Sequence, residues 1–141
     1  MADVKRGRVL FDGAVAGLLM LSIGFAARAL LRNASFGTLL VLPDSTEITI
    51  RWALLDLMTG ILIVWTYACL HIGYRAGLGV ALITSFAVML FIHPLRLEMM
   101  DWQSATLARI VRLTIGAFAG SLVGGLAGCW LYNLEERLSK T

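Results

Sequence analysis

Four glycines, Gly116, Gly120, Gly124 and Gly128, recur at every fourth position inside an apolar run from Leu113 to Leu131. On a helix this spacing places them on one narrow face, each about one turn above the last. The run is long enough to cross a bilayer core of roughly 30 Å. A glycine stripe within such a helix is a groove without side chains. A second helix can approach it closely, and packing then replaces the hydrophobic effect that lipid does not supply. The rest of the chain reads as helices arranged around that glycine zipper.

Composition agrees. The chain is 59% hydrophobic and 15% charged, against an apolar share of roughly 45–50% in soluble domains. Its charges cluster between apolar runs. The net charge of +3 comes from basic residues at the ends of those runs, where lipid headgroups attract them. No nucleic-acid-binding motif is present. Cys69 and Cys129 both fall inside apolar runs, which excludes a secreted disulfide framework. Both read as small apolar packing residues.

These patterns predict an all-α, polytopic membrane protein with four transmembrane helices in an antiparallel bundle. A single domain covers 1–141, with spans at about 9–31, 50–70, 78–93 and 106–132. The first run is read as a retained span and not a cleaved signal, because it continues past Asp12 to Leu31. It contains Gly13 and Gly17, a second small-residue pair expected to face the C-terminal glycines. Residues 33–50 form the longest connection, and Asp44 with Glu47 marks a capping box before the second span. Trp65, Tyr67 and Tyr74 mark the far end of that span, as an aromatic belt would. His93 and Pro94 end the third span, leaving 95–102 as a surface-lying segment.

Four spans place both termini on one side. Lys5, Arg6, Arg8, Arg75, Arg137 and Lys140 balance Arg28, Arg32, Arg51, Arg96, Arg109 and Arg112. The three basic residues that flank the first span tip the expectation towards cytoplasmic termini.

Charges inside spans are the first place to look for function. Asp56, Arg28 and Arg112 fall at similar depth, so Asp56 is expected to pair with Arg28 or Arg112 as a structural ion pair; a proton or ion path is the alternative. Asp12 reads as a solvated helix-start carboxylate near Lys5, Arg8 or Arg75. His71 and His93 are the two side chains suited to haem or chlorophyll-type ligation. They lie towards opposite faces, so one shared site is not expected, and no cofactor is predicted. No zinc spacing, Ser-His-Asp set, H-E-x-x-H or phosphate loop occurs. No catalytic or metal site is expected.

The segment Trp52-Ala-Leu-Leu-Asp56-Leu-Met-Thr-Gly60, continuing through Trp65 and Tyr67 to Gly73-Tyr-Arg-Ala-Gly77, resembles one in small uncharacterised four-helix bacterial membrane proteins. The closing Trp130-Leu-Tyr132 is similar as well. The resemblance implies a bacterial inner membrane and a helical bundle, and it implies no activity. The function expected is that of a non-catalytic accessory subunit. Its partners are lipids and other integral subunits of a larger, plausibly energy-transducing complex (respiratory or photosynthetic). A small transporter or channel and a pigment- or haem-binding subunit are the alternatives.

Overall fold

The computed structural model describes residues 6–33, 46–71, 77–98 and 107–138. They form four helices, α1 (Arg6–Asn33), α2 (Thr46–His71), α3 (Leu78–Glu98) and α4 (Leu107–Leu138), and no strand occurs among the described residues. Each helix is long and apolar enough to span a membrane. The expected cap at Asp44 and the expected belt residue Tyr74 lie outside the described residues.

In cross-section α2 and α4 touch across the middle. α1 and α3 flank that pair on opposite sides and do not meet among the described residues. α1 packs most extensively on α2, then on α4.

Glycine decides how α1 and α2 meet. A Cβ added at Gly13 would lie 2.5 Å from the Ile61 Cα, and one at Gly17 would lie 2.6 Å from the Leu57 Cα. A Cβ at Gly60 would collide with the Gly17 N and the Gly13 O. The two backbones are therefore in direct contact at three glycines. This differs from the expectation that Gly13 and Gly17 face α4. The unexpected partner, Gly60, is a single small residue, and only the pairing of α1 with α2 gives it that role.

The α4 stripe packs on a different face of α1. A Cβ at Gly124 would lie 2.7 Å from the Ala16 O, and one at Gly128 would lie 2.8 Å from the Ala16 Cβ. At Gly120 the nearest atom is the Met20 O, at 3.6 Å. A Cβ at Gly116 or Gly24 would have nothing within 4 Å among the described residues. The two helices thus close tightly at one end and part towards the other. Gly125, beside the stripe, faces the Ser85 side chain of α3 and Ile63 of α2.

α3 does not stop at Pro94. It runs helical to Glu98 with Pro94 inside it, although an interior proline costs about 3 kcal/mol. On either side of the proline Ile92 and Arg96 are buried, and Arg96 is tied to α2. The extension also sets the length. Residues 78–92 would cover only about 22 Å, whereas the 21 residues observed cover about 31 Å, the thickness of a bilayer core. Residues 95–98 therefore continue α3, while 99–102 of the expected surface-lying segment lie outside the described residues.

Two further expectations change. Tyr67 is fully buried, so it belongs to the core and not to an interfacial belt, while Trp65 is exposed. Cys129 is buried as expected, but Cys69 faces outward.

A test of the α1–α2 contact compares alanine substitutions that are alike in chemistry. Gly60→Ala and Gly17→Ala force backbones apart and should each cost about 1–3 kcal/mol, the usual range for overpacking. Gly24→Ala meets open space and should be neutral or stabilising by up to about 1 kcal/mol through helix propensity. Unfolding of the purified protein in detergent reads all three, and equal effects would contradict this packing.

Candidate functional site: a buried polar cluster between α2, α3 and α4

Hydroxyls in the four helices mostly satisfy themselves. Thr59 donates to the Leu55 carbonyl, Thr84 to Val80, Thr66 to Leu62 and Ser22 to Leu18. Such back-bonding to the preceding turn lets an apolar helix carry a hydroxyl without a partner helix. Charged groups cannot do this, so their placement is more informative.

Asp56 of α2 and Arg96 of α3 form a buried ion pair, with Arg96 Nη2 donating to Asp56 Oδ1. Their side chains are 6% and 8% exposed, so the two opposite charges are set against each other away from solvent. Sequence reasoning singles out Asp56 as a charge within an apolar span but offers Arg28 and Arg112 as partners. The side chains of Arg28 and Arg112 lie outside the described residues. Arg96 escapes sequence reasoning because the proline reads as the end of the helix. Continuing α3 past Pro94 is the signal that brings Arg96 level with Asp56.

His93 lies one turn before Arg96 on α3. Its Nε2 is 3.1 Å from Thr114 Oγ1 of α4. The ring also packs on Phe118, centroids 5.6 Å apart, and Phe118 in turn packs on Phe86 at 5.5 Å. Thr114 Oγ1 is in addition 2.8 Å from the Ile110 carbonyl, to which it donates. His93 is therefore held at a helix–helix contact through Nε2, the nitrogen that most often ligates a tetrapyrrole metal. That arrangement does not favour axial ligation by His93. The His71 side chain lies outside the described residues.

Asp12 is 1% exposed, which overturns the solvated reading. It sits in the second turn of α1, on the face that meets α4, and its carbonyl oxygen lies against Gly128. Of its expected neighbours, Lys5 and Arg75 lie outside the described residues. Further towards that end of the bundle, Tyr67 accepts a hydrogen bond from Asn133 Nδ2, and Tyr132 meets its ring edge-on at 6.4 Å. The two buried carboxylates thus occupy separate places, Asp56 between α2 and α3 and Asp12 between α1 and α4.

Among the described residues no group of three or more His, Cys, Asp or Glu side chains is placed to hold a metal ion. The arrangement can bind helices together through charge, and it can hold a proton at a fixed ring nitrogen.

No family model, curated protein or solved structure matches the chain. The likeness to small four-helix bacterial membrane proteins thus stays at the level of pattern.

Breaking a buried pair strands one charge, which costs about 3–5 kcal/mol, whereas removing both charges together is often near neutral. Asp56→Asn and Arg96→Met should each destabilise the bundle by about that amount. The double variant should recover most of the loss. Denaturation of all three in one detergent measures the coupling, and additive losses would show that the pair is not a unit.

Proposed function

We propose that the chain is a non-catalytic integral membrane subunit, an antiparallel four-helix bundle that packs against other membrane subunits of a larger complex. Membrane insertion is supported by the inverted distribution of polarity. Asp12, Asp56, Thr59, Thr84, Ser85, Arg96 and Ser121 are buried, while Leu18, Leu54, Ile83, Phe91, Ile115 and Trp130 are exposed. A soluble bundle would solvate the first set and bury the second. The antiparallel arrangement is supported by register. Gly13 meets Ile61 where Gly17 meets Leu57, and Ala16 meets Gly124 where Met20 meets Gly120.

The observation that carries the partner reading is the place where α1 and α4 part. Gly24 and Gly116 are level in register, each one turn beyond the last contact, and a Cβ added at either would meet no atom of the described residues within 4 Å. Both glycines are half-buried, and a small-residue backbone surface is one on which another membrane helix can pack closely. The tight glycines at positions 13, 17, 60, 124 and 128 are used inside the bundle, which argues against a pore built on them. A multi-pass protein of a bacterial inner membrane with cytoplasmic termini fits this reading.

The transporter alternative rests on Asp56. Its pairing with Arg96 supports a structural role, since each charge neutralises the other. Ion flux in liposomes that disappears in Asp56→Asn would shift the assignment to transport.

Two measurements test the proposal. Trp65 is 45% and Trp130 is 61% exposed, so brominated lipids should quench the fluorescence of variants that retain only one of them. Extraction in mild detergent should recover the protein with other membrane subunits. Gly116→Leu should leave the monomer folded and abolish that co-purification. Migration of the native protein alone on a native gel would count against a partner.

A further inference from the structure

Among the described residues, two buried polar atoms on adjacent turns of α3 have no hydrogen-bond partner, His93 Nδ1 and Arg96 Nε. Their chemistry is complementary, and proton counting shows why. Thr114 has one hydroxyl proton and donates it to the Ile110 carbonyl at 2.8 Å. With that proton given to the shorter contact, its oxygen is left to accept at 3.1 Å from His93, which assigns the ring proton to Nε2. A neutral imidazole carries one ring proton. With that proton on Nε2, Nδ1 is a bare lone pair. Arg96 Nε always carries a hydrogen, because the guanidinium does not deprotonate in proteins. An acceptor and a donor thus stand at positions i and i+3 of one helix face, both sealed from solvent and not bonded to each other.

Leaving either group unsatisfied costs about 1–3 kcal/mol, more where a charge is involved. One water molecule removes both penalties, since it donates to Nδ1 and accepts from Nε–H; two to four polar partners are what a buried water needs. We propose that His93 and Arg96 hold a single water molecule between Nδ1 and Nε. This water joins two contacts that otherwise end separately. The result is one chain of hydrogen bonds, Asp56 to Arg96 to water to His93 to Thr114 to the Ile110 carbonyl, which crosses α2, α3 and α4. It fixes the His93 tautomer from both sides and ties the α2–α3 ion pair to the α3–α4 contact. The inference depends on local geometry and not on the identity of any partner subunit.

Solid-state NMR of the full-length protein in lipid bilayers, with nitrogen-15 in histidine, tests it directly. The expected spectrum has His93 neutral and protonated at Nε2, an Nδ1 resonance shifted as for a hydrogen-bonded lone pair, and magnetisation transfer from water to the ring. Arg96→Lys keeps the positive charge for Asp56 but removes the Nε donor, so the water transfer to His93 should be lost while the Nε2–H tautomer remains. Protonation at Nδ1, a lone-pair shift without hydrogen bonding, or no water transfer in the unmodified protein would each overturn the proposal. If Arg96→Lys does not fold, the spectrum of the unmodified protein decides alone.

Discussion

The backbone contact between α1 and α2 at Gly13, Gly17 and Gly60 is the constraint on which the rest of the bundle depends. Once those backbones touch, the rotation of α1 is set. The face carrying Asp12, Ala16 and Met20 then turns towards α4, where Gly124 and Gly128 leave room for it. The α4 glycines are therefore the second seam of a bundle whose first seam lies elsewhere. Two different faces of α1 are used, and a single small-xxx-small pair would serve only one.

α3 enters by different means. It has no glycine face against α1 and does not touch it among the described residues. It is joined to α2 by Asp56 and Arg96, to α4 by His93 and Thr114, and at the centre by Ser85 against Gly125. Polar attachments fit an apolar surrounding, where apolar side chains gain little by meeting one another instead of lipid. The α1 side is therefore closed by backbone packing, whereas the α3 side adds an ion pair and a hydrogen bond to the apolar packing of Val80, Ala81 and Val88 and the Phe86–Phe118 contact. The two modes respond differently to substitution, because overpacking acts locally whereas a stranded charge is costly wherever it is buried.

The proline shows how local and tertiary forces compete. Alone, Pro94 marks a helix end, and that reading follows from the lost N–H and the ring clash. It fails here because the turn beyond it carries Arg96, whose charge has a buried partner. The same reading hides Arg96. With the helix cut at His93, Arg96 falls in a surface-lying segment and is not offered as a partner for Asp56. The reading of Asp12 fails for a related reason. Its position near a helix start suggests exposure, but α1 packs closely on α4 there, with the Asp12 carbonyl against Gly128, and the residue is buried.

The sequence by itself determined the four helices, their capacity to cross a membrane and the importance of Gly13, Gly17, Gly124 and Gly128 as small residues. These follow from run length and periodicity, which act along one helix at a time. Only the tertiary structure decided which groove meets which backbone, that Gly60 completes the first seam, that Arg96 pairs with Asp56 and that His93 is held by Thr114. Those outcomes depend on the rotation of each helix about its axis. Rotation is set by contacts between segments far apart in the chain, and a pattern with the period of one helix carries no information about it.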